Sequence, residues 1–355
     1  TRFQISASEQ TVATGFSNGA VSIGKINGSN PQSYFFGQSI SALALSRDES
    51  KLAVSYANGT QVIDLRLNKT LVQFNVESEI LQFSPDSKLF VYADSTSKLK
   101  VMDLSLQTTQ AIPFDGELLN VSFAENGQSL IIGTTDSRAK VYRFTDGKEF
   151  IVDIGNNEMT SHAELSADSR FAYVSGQSTF SQLDLTTGVV KTTLGHAQTI
   201  DVNYSSASNR LFRLNDNKTL EVIDLKTAQK IQIKTLGLGE EILLSRNGDV
   251  CFLRTWRYDP TTKKLDKYIE VIDVKNQTAT LLPSQFYFND VQTLNEPLAV
   301  LTLLQGAIQK VILKNLNQNS IKLNGAIKSF DVSPSHQQLV VATRDQLNVI
   351  DVNSL

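Results

Sequence analysis

A period of about forty residues runs through this sequence. Nine short runs share one form: AVSIGKI (20–26), TQVIDLR (60–66), LKVMDLS (99–105), AKVYRFT (139–145), FSQLDLT (180–186), LEVIDLK (220–226), IEVIDVK (269–275), QKVILKN (309–315) and LNVIDVN (347–353). Their matched positions, Gly24, Asp64, Asp103, Arg143, Asp184, Asp224, Asp273, Leu313 and Asp351, lie 38 to 41 residues apart, with a single interval of 49. A second ladder, including LSRDESKLAV (45–54), FSPDSKLFVY (83–92), LSADSRFAYV (165–174) and VSPSHQQLVV (332–341), repeats in step with the first. Repetition on this scale restricts the chain to architectures assembled from small, similar units.

Within a unit the local signals are β. From Ser39 the chain reads SALALS, a turn RDES, KLAVSYA, a turn NG, TQVIDLR, a turn LNK and TLVQFNV. These are four runs of five to seven residues rich in Val, Ile, Leu, Phe and Thr, separated by Asn, Asp, Gly and Ser. No segment has the length and 3.6-residue spacing of an amphipathic helix. A single four-stranded sheet leaves two faces and two edges open, so each unit must stack on its neighbours. Radial stacking does this, and the expected fold is an all-β propeller of four-stranded antiparallel blades. About nine units begin near residues 1, 38, 78, 116, 158, 197, 237, 285 and 325, spanning 1–355. They imply an eight- or nine-bladed ring or part of a longer multi-propeller chain. The last unit ends after its third strand, and a strand before Thr1 or after Leu355 would complete it.

These runs resemble the WD40-repeat family across essentially the whole chain. The family's Trp-Asp pair closes the third strand of a blade. Here the aspartate stands in six of nine copies, preceded by Ile63, Met102, Leu183, Ile223, Ile272 or Ile350 in place of tryptophan. The family's Gly-His pair occurs once, as Gly195-His196, and Asp136 sits at the family's tight-turn position. The His-Asp-Trp network of the family therefore cannot form in its usual shape, and packing must carry more of the stability. The resemblance implies a non-enzymatic scaffold or complex subunit that docks a peptide or protein on its loop face. A propeller hydrolase or lactonase with a site at the central channel is the enzymatic alternative.

Composition narrows the chemistry. Lys+Arg 33 against Asp+Glu 36 leaves a net charge of -3, without the overall positive field that nucleic-acid binding favours. Cys251, the sole cysteine, excludes an intramolecular disulfide and sits among apolar neighbours as an inert thiol. No run approaches the roughly 18 apolar residues of a membrane span, and an intracellular, cytoplasmic location is expected. His162, His196 and His336 lack metal-ligand spacing. No phosphate loop or nucleophile elbow occurs, so no cofactor is expected.

The 49-residue interval contains TWRYDPTTKKLDKY (255–268), read as a lengthened loop between the second and third strands of the seventh unit. Insertions in repeat arrays tend to fall on binding faces. Trp256, Arg257, Tyr258 and Tyr268 are interface-prone residue types, and Lys263 and Lys264, with Arg254 and Lys267, add positive charge. Glu77, Glu79, Asp115, Glu117, Glu158, Glu240 and Glu241 map to the loops leading into first strands, on the same face, as an acidic arc for a basic partner segment.

Overall fold

A computed structural model describes residues 2–352 except 7, 9, 26–28, 94–97, 156–161, 167, 177–178, 194–198, 206–207, 246–247, 260–262, 283–290, 295–298, 305–306, 313–316, 322–326, 333–336 and 344–346. Among the described residues there are eight four-stranded sheets and one of three strands, each an antiparallel meander of consecutive strands. In chain order these blades span Arg2–Phe35, Ile40–Phe74, Leu81–Pro113, Leu118–Asp153, His162–Thr193, Thr199–Lys234, Leu238–Leu281, Val291–Ile321 and Ile327–Asp351. No described residue lies in an α-helix, and no helix is long and apolar enough to cross a membrane. The architecture is an all-β propeller, one sheet to each sequence repeat.

The two sequence ladders are turn chemistry. In the first-to-second turns the hydroxyls of Ser46, Ser84 and Ser166 donate to Asp48, Asp86 and Asp168 at 2.6–2.7 Å. The same oxygens accept the amides of Lys51, Leu89 and Phe171 at 2.9 Å. In the third-to-fourth turns Asp64, Asp103, Asp184 and Asp224 accept the amides two and three residues ahead at 2.8–3.1 Å. The recurring aspartate thus staples a turn, which needs no tryptophan before it. At the fourth blade Arg143 replaces it, gripping Asp146 with two bonds of 2.9 and 2.8 Å and donating to the Leu185 carbonyl of the fifth blade at 2.6 Å.

The first strands of the second, fourth, sixth, seventh and ninth blades carry a register shift near their start. A bulge bends the strand and re-aims the side chain beyond it. After two of these bulges the re-aimed group reaches the next blade. Asn120 Nδ2 donates to the Ala163 carbonyl at 2.8 Å, and Asp201 Oδ2 accepts the Ile242 amide at 2.8 Å. Asn203 Nδ2 adds a bond to the Ile242 carbonyl at 3.1 Å. These clamps tie neighbouring blades together through polar bonds. Packing supplies the rest, as in the sixth–seventh cluster of Phe212, Leu214, Ile242, Cys251, Leu253 and Ile272.

By internal contacts the chain divides into two compact units, Thr1–Phe114 with Asp290–Leu355, and Asp115–Asn289. The candidate site lies wholly in the second.

Candidate functional site

The seventh blade departs from its siblings in its second and third strands. Both are ten residues long, Val250–Asp259 and Lys264–Asp273, and pair residue for residue from Val250↔Asp273 to Asp259↔Lys264. The expected long loop is therefore mostly strand, because Trp256–Arg257–Tyr258 and Leu265–Asp266–Lys267 prolong the two-residue alternation of the core strands. Lys263, just before the third strand, stands at a left-handed φ of 57°.

The first strand, Leu238–Leu244, starts opposite Trp256, and the fourth, Thr278–Leu281, reaches only as far as Glu270. Three further residue pairs thus stand clear of the four-stranded sheet as a two-stranded ribbon about 10 Å long. Alternation divides its side chains. One face carries Leu238, Trp256 and Lys267 in one cross-strand row and Tyr258 and Leu265 in the next. Lys267 Nζ sits 4.7 Å from the Trp256 ring centroid, a cation–π contact. Beyond it the face is open, with Tyr258 56%, Leu265 57%, Leu238 47% and nearby Leu236 45% exposed. Tyr268 pairs with Thr255 and so belongs to the opposite face with Arg257, apart from the other two aromatics.

The base of the ribbon is braced by a residue that sequence reasoning missed. Glu270 is fully buried, and its carboxylate accepts the Leu236 amide at 2.8 Å and the Gly237 amide at 3.4 Å. Burial pushes its carboxyl above the usual range, opposed by those two amides. Gly237 is needed there, since a Cβ would meet Thr255 Oγ1 at 2.1 Å. Glu270 thereby fixes the lead-in loop that presents Leu236 and Leu238. In the sequence it looks like any outward polar position of an alternating strand.

The acidic pair separates. Glu240 is the bulged residue and is exposed, whereas Glu241 forms an ion pair with Arg254. Glu117 is exposed in the loop leading into the fourth blade, and Asp115 lies 3.9 Å from Arg138. Glu77 and Glu79 are exposed but belong to the other compact unit. Glu158, His196 and His336 fall outside the described residues, and His162 opens the fifth blade. Among the described residues no group of three or more His, Cys, Asp or Glu could hold a metal ion. Burial raises the Cys251 thiol well above its ordinary value, which keeps it protonated.

No protein-family model matches the chain, and no curated protein matches it. Among solved structures it is similar to dihydro-heme d1 dehydrogenase NirN in complex with DHE, at 14% identity and a TM-score of 0.51. The match covers 80% of this chain and 66% of that one, so this chain spans just under two thirds of its structural relative. The likeness supports an all-β propeller of about eight blades and speaks to fold alone.

Proposed function

We propose that this chain is a non-enzymatic interaction scaffold of the WD40 type, which docks a protein or peptide on the seventh-blade hairpin. The reading is carried by one observation, the ribbon that leaves its sheet and presents Tyr258 and Leu265 on the same face as Trp256 and Leu238 at its base. A two-stranded ribbon adds little stability of its own, so its exposed apolar face is accounted for by recognition. Lys267 shares this face and Lys263 stands at the hairpin tip, whereas Arg257, Lys264 and Asp266 alternate to the other face, so the apolar face suits a segment with apolar anchors and an acidic residue beside them. The blades beneath hold the ribbon in place, which reduces the ordering entropy lost on binding.

The enzymatic activity in the structural relative's name belongs to that protein, and at 14% identity the likeness carries the fold alone. The test is affinity capture from native extract with the wild type and with Trp256→Ala/Lys263→Glu/Lys264→Glu. The expected result is a stoichiometric partner lost from the variant while its melting temperature holds. Equal capture by both proteins would remove the hairpin from the site.

A further inference from the structure

The junction of the fifth and sixth blades differs from its neighbour. The sixth–seventh junction is closed by aliphatic and phenyl groups, whereas the fifth–sixth junction opens into a cavity of about 430 Å³. It lies at the end of the blades that carries the first-to-second and third-to-fourth turns, away from the hairpin tip. Its volume falls within the span of roughly 300–1,000 Å³ common to small-molecule sites.

The walls are aromatic. Tyr173 and Tyr204 pack with ring centroids 4.1 Å apart, and Phe171 lies 6.3 Å from Tyr173. Both tyrosine hydroxyls donate to a single acceptor, Asn209 Oδ1, at 3.0 and 3.2 Å. Asn209 stands at a left-handed φ of 54°, where asparagine is tolerated. Its amide nitrogen has no acceptor among the described residues, and Asn209 lines the cavity beside the tyrosines. Burial pushes the pKa of both tyrosines above its ordinary value, so their hydroxyls stay neutral.

Two cations flank this lining. Arg170 lies with its guanidinium carbon 5.3 Å from the Phe171 ring centroid, and Lys226 is exposed on the sixth-blade turn. Neither lies within ion-pair distance of a carboxylate among the described residues, and the Arg170 guanidinium feels the charges of Asp168 and Asp184 without a direct contact. The nearby carboxylate of Asp168 is occupied by the Ser166 hydroxyl at 2.6 Å and the Arg170 amide at 3.1 Å. Aromatic walls, an amide donor and two exposed cations complement one kind of molecule. We infer that this cavity binds a planar aromatic carboxylate, its ring against Phe171 and Tyr204 and its carboxylate toward Arg170, Lys226 and Asn209.

Isothermal titration with naphthalene-2-carboxylate and its neutral amide, 2-naphthamide, tests this on the whole chain. The wild type is expected to bind the carboxylate at least tenfold more tightly than the amide. Arg170→Gln/Lys226→Gln alters two exposed side chains; it should erase that preference and leave amide binding unchanged. Asn209→Gly, which keeps the left-handed backbone, should weaken the carboxylate severalfold. No binding by the wild type, equal affinity for the two probes, or a preference that survives in the double variant would overturn the inference.

Discussion

The proximal and distal halves of the seventh-blade hairpin share one hydrogen-bonded ladder and little else. In Val250–Thr255 and Tyr268–Asp273, Phe252, Leu253, Ile269 and Ile272 are fully buried between sheets. In Trp256–Asp259 and Lys264–Lys267 the pairing continues while Tyr258 and Leu265 are more than half exposed. Backbone pairing therefore does not require packing once a strand has been started by packed neighbours. The proximal half holds the fold, and the distal half is displayed by it.

The strongest way to break this contrast is to cut into the proximal half. Phe252→Ala should cost about 3–5 kcal/mol through lost transfer energy and a cavity, read as a fall in the denaturant midpoint. A loss below about 1 kcal/mol would mean that the proximal half is no better packed than the distal one.

The second test concerns the clamp behind it. Burial raises the Asp201 carboxyl from 3.8 to about 6, with a smaller push from the Glu241 charge. A folded-state value above the unfolded one means the folded state binds the proton more tightly. Stability from this group is then complete below about pH 4, falls between pH 4 and 6, and stays low above. The difference is worth about 3 kcal/mol. Asp201→Asn should therefore melt higher than wild type at pH 7.5 and no higher at pH 3.5. The opposite pattern would show that ionised Asp201 stabilises the sixth–seventh junction.

A smaller effect is expected where the two halves meet. Glu270→Ala removes the acceptor for the Leu236 and Gly237 amides and should cost about 1–3 kcal/mol. Faster hydrogen exchange confined to those two amides would place the brace at the base of the ribbon. Smallest of all, Tyr258→Ser with Leu265→Ser should shift stability by no more than about 0.5 kcal/mol, as exposed substitutions do. A larger loss in thermal unfolding would make the distal half part of the core.

Much of this was legible in the sequence, for local reasons. The forty-residue period, the four-strand grammar and the unusual seventh interval are written in alternating β-branched and polar residues and in Ser-, Asp- and Gly-bearing turns. In the sequence the ribbon looks like a loop because Pro260 and the paired lysines are turn residues, although Trp256, Tyr258, Leu265 and Lys267 alternate as strand residues. The clamps of Asn120 and Asp201 and the brace of Glu270 were not legible. Each depends on a partner some forty residues away or in another strand, and on bulges that no single run of sequence announces. The Asn209 acceptor was hidden likewise, since its tyrosines come from two different blades.

Native-state amide hydrogen exchange across the seventh blade tests the central claim most directly. The account predicts that amides of the distal rungs, from Arg257 to Asp266, exchange through local opening at least about a hundredfold faster than those of Phe252, Leu253 and Val271, which open only with the whole sheet. Uniform protection along the entire ladder would contradict it, because the ribbon would then be a packed part of the fold and unavailable to a partner.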